Sequence, residues 1–126
     1  MKKFIVAIIA VSVVLTGCSS ESDSINLSVS EFSAKSQEPG VISLDVRTAG
    51  EFAEGHLVDA ININVESGNF EAEIESLDKN ATYAVYCRSG RRSAVAVDLM
   101  KKAGFTKLHK NWPHLLRINC SARIYF

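Results

Sequence analysis

The sequence predicts an α/β fold: a central, mostly parallel sheet with helices on both faces. Three observations lead there. Short runs rich in β-branched and aromatic residues alternate with stretches whose apolar residues recur at helical spacing, the pattern of strands joined by crossover helices. Helix signals punctuate that alternation, with capping-box spacing at Thr48 and Glu51 and a glycine stop at Gly104. The apolar run 81–86 gives way through a short arginine-rich loop to a helical pattern, which puts Cys87 at the carboxyl end of a strand, where such sheets gather ligands.

In chain order, Ile25, Asn26 and Leu27 form a short edge strand, residues 28–37 have helical character, and Pro39 and Gly40 make a turn. Residues 41–46 (VISLDV) read as a buried strand. Thr48 then opens a short helix that Gly55 stops; Arg47 and Glu51 lie four apart, close enough to pair if the turn is helical. Residues 60–65 supply another strand. Residues 70–77 supply a helix with Phe70, Ile74 and Leu77 on one face. After the strand at 81–86, Ala94, Val95, Val97, Leu99 and Met100 recur at roughly helical spacing from Ser93 onward, with Asp98 turned outward. No internal repeat is present.

The N-terminus reads differently. Met1, Lys2 and Lys3 form a short basic region, and residues 4–15 are almost unbroken apolar sequence, shorter than the ~20 residues that span a bilayer. Small and polar residues follow, as in a signal peptide. Leu15, Thr16, Gly17 and Cys18 resemble the bacterial lipobox, which implies lipid on Cys18, removal of residues 1–17, and a tether over 18–25 rich in serine and acidic residues. Loss of Lys2 and Lys3 leaves twelve basic residues against fourteen acidic ones, a balance that argues against nucleic-acid binding. Roughly a hundred residues then remain, enough for one domain and one core. Membrane attachment would come from the lipid, with the protein in the bacterial cell envelope facing the periplasm or exterior. With Cys18 lipidated, Cys87 and Cys120 are the remaining thiols. They imply no disulfide framework, and Cys120 reads as a tail residue without a role.

The loop Cys87-Arg88-Ser89-Gly90-Arg91-Arg92 carries the chemistry. A tight loop ending at a helix N-terminus points backbone N–H groups into a concavity that favours negative charge, and Arg88, Arg91 and Arg92 add fixed positive charge. Both effects favour thiolate over thiol, making Cys87 the candidate nucleophile. The residues Cys87, Gly90 and Arg92 fill the Cys-x-x-Gly-x-Arg pattern of the rhodanese family, and the loop resembles that of small single-domain thiosulfate sulfurtransferases. The resemblance implies a rhodanese-like fold and a Cys87 persulfide that takes sulfur from a thiosulfate-like donor and passes it to a thiol or cyanide. Backbone groups of residues 88–92 (Arg88, Ser89, Gly90, Arg91, Arg92) would cradle the anion, with the arginines as candidate substrate contacts. It implies no metal and no organic cofactor, and a monomer is expected. Cysteine phosphatases also set a thiolate in an anion-binding loop, but with Cys-x5-Arg spacing. Their arginine would fall at Ser93, so this loop is too short to surround a phosphate.

Residues 45–57 match a second rhodanese signature, Asp-Val-Arg-x-x-x-Glu-Phe-x-x-Gly-His-Ile, with Leu57 in the last place. By resemblance, Asp45, Arg47 and Glu51 form a structural charge network that ties strand end to helix, and His56 belongs to a turn. The resemblance covers residues 26–109, then fails: the tail 110–126 lacks the expected Gly-Gly turn and amphipathic closing helix, although Pro113 could start a short helix. The apolar end Ile124, Tyr125 and Phe126 is one a soluble domain rarely leaves exposed. The activity expected is therefore sulfur transfer, with a persulfide carrier or sulfur-sensing module as the alternative.

Overall fold

A computed structural model describes residues 24–111 and 124–125. The elements run β1 (Ser24–Leu27), α1 (Val29–Ser36), β2 (Val41–Asp45), α2 (Ala49–Glu54), β3 (His56–Leu57), β4 (Ile61–Asn62), α3 (Phe70–Ile74), β5 (Thr82–Tyr86), α4 (Arg91–Lys102), β6 (Lys107–Asn111) and β7 (Ile124–Tyr125). The leader, Cys18, Pro113 and Cys120 lie outside the described residues.

Five strands form one sheet in the order β1-β6-β5-β2-β4, and every neighbouring pair is parallel. Side chains alternate across it. Tyr83, Val85 and Cys87 face a core shared with Phe70 and Ile74 of α3 and Ala96, Val97 and Met100 of α4. Ala84 and Tyr86 face the other way, against Phe32 of α1 and Leu57. Helices thus cover both faces, as the alternating pattern predicts. Full burial of Phe32, Ile74, Val97 and Met100 stabilises this sandwich by roughly 1.5–3 kcal/mol per side chain.

Local signals fix the starts of α1 and α2. Ser28 and Glu31 close a capping box on α1, and Thr48 and Glu51 close one on α2. Three elements differ from expectation. The strand predicted over 60–65 reduces to β4, because only Leu44 and Asp45 of β2 pair with it in register; Ile63 and Val65 then donate singly to the carbonyls of Asp45 and Val46. The helix predicted over 70–77 ends at Ile74, after which Leu77 still packs against the core from a turn. Helix α4 starts at Arg91, and its buried stripe is Ser93, Ala96, Val97 and Met100, spaced i, i+3, i+4, i+7. Val95, counted with the apolar face in the sequence, lies off that stripe and is 49 % exposed.

Strand β7 pairs antiparallel with β3, Tyr125 opposite His56 and Ile124 opposite Leu57, a pairing with no local signal. The parallel register sets the geometry that matters most. Asp45 lies beside Tyr86, and the Val46 N–H donates to the Tyr86 carbonyl at 3.1 Å, so the carboxyl ends of β2 and β5 open side by side.

Candidate active site

Cys87 follows directly on β5 and is 4 % exposed. Its Sγ accepts from the Gly90 N–H at 3.0 Å and from the Ser93 N–H at 3.4 Å, and lies 3.6 Å from the Ser93 hydroxyl. That hydroxyl in turn donates to the Gly90 carbonyl at 2.9 Å. The donors are available because of where they sit. Gly90 is the N-cap of α4 and Ser93 its third residue, so both N–H groups sit at the helix start, ahead of the i to i−4 ladder, and the positive end of the helix dipole faces the sulfur.

Gly90 makes the turn possible. Its φ of +85° and ψ of −21° lie in the left-handed region, which costs a residue with a Cβ about 1–2 kcal/mol. Gly90→Ala is therefore expected to lower stability by about that amount in urea unfolding and to slow modification of Cys87, since the strain falls on the residue whose N–H is nearest the sulfur.

The predicted cradle residues divide by environment. Arg88, Ser89 and Arg91 are exposed at the rim. Arg92 is drawn inward and grips Glu51 with both ends of its guanidinium, Nη1 to Oε2 at 2.7 Å and Nη2 to Oε1 at 2.8 Å, with Glu66 3.5 Å away. The hydrogen bond from Arg92 holds the Glu51 carboxyl down to about 2, below its ordinary 4.5, and raises the Arg92 guanidinium above its own usual range. A carboxylate depressed on folding contributes stability that is complete above about 4.5 and lost as the pH falls towards about 2. The gap in urea midpoint between wild type and Glu51→Gln should therefore close across that window and stay constant above it.

The charge network expected from Asp45, Arg47 and Glu51 forms in two separate parts. Arg47 does not pair with Glu51, because Thr48 is the N-cap and Arg47 lies outside the helix, where i, i+4 geometry does not apply. Its Nη2 donates instead to Asp45 Oδ2 and to the Gly55 carbonyl, each at 2.6 Å, while Nε meets both Asp45 oxygens at 3.0 Å. The guanidinium lies 5.8 Å from the centre of the Tyr86 ring. This buried knot underlies the loop, since Tyr86 immediately precedes Cys87. His56 does not lie in a turn as expected but opens β3, because it pairs with Tyr125 of β7; its Nδ1 donates to the Phe52 carbonyl at 2.8 Å and its ring stacks on Phe52.

Two contributors went unassigned in the sequence. Ser93 supplies an N–H to the sulfur, and its place in the i, i+3, i+4, i+7 stripe with Ala96 was the signal that it faces inward. Asn62 bridges the carbonyls of Asp45 and Arg47, each at 3.0 Å, and nothing local marks it. Among the described residues no cluster of three or more His, Cys, Asp or Glu stands close enough to hold a metal. A cavity of about 590 Å³ borders Val41 and Ser43, at the far end of β2, and includes no residue of the cysteine loop.

A thiol at a helix N-terminus, met by converging N–H groups and rimmed by arginines, is built to hold a negatively charged sulfur. The Rhodanese-like domain family matches residues 28–112, which spans both signatures and this loop. The chain belongs to the rhodanese family. It is similar to the thiosulfate sulfurtransferase PspE of Escherichia coli, 33 % identical over 63 residues that cover 50 % of this chain and 61 % of PspE. It is also similar to the sulfur carrier candidate YrkF of Bacillus subtilis, 37 % identical over 65 residues that cover 52 % of this chain and 34 % of YrkF. The chain thus matches only part of the length of either relative. Among solved structures, a rhodanese-related protein from Thermoplasma volcanium superposes with a TM-score of 0.67 at 22 % identity, covering 80 % of this chain and 97 % of that one, and shares the fold. An Escherichia coli rhodanese solved with anions gives 0.54 at 28 % identity, covering 68 % and 96 %. Of the two relatives, PspE and YrkF, one is named as a thiosulfate sulfurtransferase and the other as a candidate sulfur carrier.

Proposed function

We propose that this rhodanese-family chain moves sulfane sulfur from thiosulfate, or a donor like it, to a thiophilic acceptor through a persulfide on Cys87. The observation that carries the reading is the convergence of the Gly90 and Ser93 N–H groups on Cys87 Sγ. In the first step the thiolate attacks the outer sulfur of thiosulfate, a new S–S bond forms, the donor S–S bond breaks, and sulfite leaves with the electron pair. In the second, cyanide or a thiolate attacks the terminal sulfur and the Cys87 thiolate departs, which gives ping-pong kinetics. The terminal persulfide sulfur carries negative charge, and the same loop N–H groups and rim arginines suit it. Arg88 and Arg91 are the exposed cations at the rim and the candidate contacts for the sulfonate oxygens. At the position where a phosphatase loop would carry its arginine stands Ser93, which is buried, so phosphate transfer has no support.

A non-turnover carrier is the second reading, favoured by the likeness to YrkF. Thiosulfate:cyanide turnover measured beside the intact mass of the protein separates the two. Turnover with a one-sulfur adduct on Cys87 supports the enzyme, an adduct without turnover supports the carrier, and no adduct at all overturns both.

The lipobox-like residues 15–18 support a further element of the reading, a lipid on Cys18 that anchors the domain in the bacterial envelope. Mass spectrometry of membrane fractions tests it: a diacylated Cys18 as first residue is expected, and an intact unmodified N-terminus would refute it.

A further inference from the structure

We propose that Glu51 is a positioning residue for Cys87, acting through Arg92, and that selectivity for an anionic donor falls to Arg88 and Arg91. The inference rests on the sulfur-transfer reading. Arg92 fills a place in the loop pattern from which a guanidinium could reach substrate, yet its forked face is already taken. Both Glu51 oxygens accept from its two terminal nitrogens, and Glu66 stands 3.5 Å from Nη1. An incoming anion would have to displace a carboxylate held in the geometry that suits guanidinium best.

Glu51 is itself fixed. Its Oε2 also accepts from the Thr48 N–H at 3.2 Å and the Thr48 hydroxyl at 3.0 Å, so the carboxylate is locked to the first turn of α2. Arg92 immediately precedes Ser93, whose N–H reaches Cys87 Sγ at 3.4 Å, the longer and more easily lost of the two contacts. The cysteine loop is therefore pinned on both sides, by Val46 N–H to Tyr86 O before it and by Glu51 to Arg92 after it. Arg88 and Arg91 carry no ion pair among the described residues and project from the rim.

Glu51→Asp tests this, because it keeps the charge and a capping carboxylate but is too short to span the fork. Sulfur loading of Cys87 by thiosulfate, followed by mass on the full chain, is expected to slow roughly tenfold at saturating donor with the half-saturating concentration unchanged. Arg92→Lys should do the same, and the double variant should be no slower than either single one, since the two residues act as a unit. Arg88→Gln or Arg91→Gln should instead raise the half-saturating concentration. Wild-type loading by Glu51→Asp overturns the proposal, even if its melting temperature drops, as does multiplication of the two effects or a change confined to the half-saturating concentration. If Glu51→Asp fails to fold, Glu51→Gln takes its place, read on the saturating rate with the same outcomes. If the wild-type chain takes up no sulfur, the sulfur-transfer reading falls. The positioning role is then read from labelling of Cys87 by uncharged iodoacetamide, where an altered rate in Glu51→Asp supports it and an identical rate overturns it.

Discussion

Serine in place of Cys87 abolishes sulfur uptake: with thiosulfate as donor, the variant gains no sulfur on residue 87, and turnover falls by a factor on the order of a thousand or more. The substitution is nearly isosteric, and the Gly90 and Ser93 N–H groups that meet Sγ can meet a hydroxyl oxygen, so the loop is expected to hold its shape. The loss is chemical. A serine hydroxyl without an adjacent base is a weak nucleophile, and an oxygen cannot be carried through the persulfide that links the two half-reactions. Peptide mapping after thiosulfate treatment localises the adduct; sulfur retained by the serine variant at another position would mean that the converging N–H groups serve some other purpose.

The largest effect on stability is expected at Arg47. Asp45 is fully buried, and Arg47 supplies it with a short pair to Oδ2 and shared contacts from Nε. Arg47→Met removes that partner and leaves a carboxylate in the interior, answered there by the residue 47 backbone N–H, and it also strands the Gly55 carbonyl. Breaking one side of a buried pair costs about 3–5 kcal/mol, a large part of the roughly 5–15 kcal/mol that holds a domain folded. Urea unfolding measures it directly. Asp45→Leu combined with Arg47→Met should recover much of the loss, because an apolar pair has no charge to desolvate. A single Arg47→Met variant within about 1 kcal/mol of wild type would show that water reaches Asp45. Since Tyr86 packs against this knot just before Cys87, the single variant should also slow sulfur loading.

What could be read without coordinates was what short spans of chain encode. The runs at 41–46 and 81–86 became β2 and β5, the Thr48 and Glu51 spacing became a capping box, and Gly104 ended α4 at a φ of +97°. Each depends on forces acting within a turn or along one strand, where periodicity and caps suffice. Val95 and residues 60–65 were misread for a related reason. A helix stripe is chosen by what packs on it, and a strand's length by how much of its neighbour is free to pair.

By itself, then, the sequence determined the alternation of elements, the place of Cys87 between a strand and a helix, and the ring of arginines around it. Tertiary structure decided which charges meet. Glu51 lies four residues from Arg47 and 41 from Arg92, and it pairs with the distant one, because parallel pairing of β2 with β5 brings their carboxyl ends side by side while Arg47 turns inward to Asp45. The same packing buried Ser93 beside the sulfur and brought β7 to β3. Contacts across such separations are set by sheet register and core packing, and no local pattern of residues encodes those.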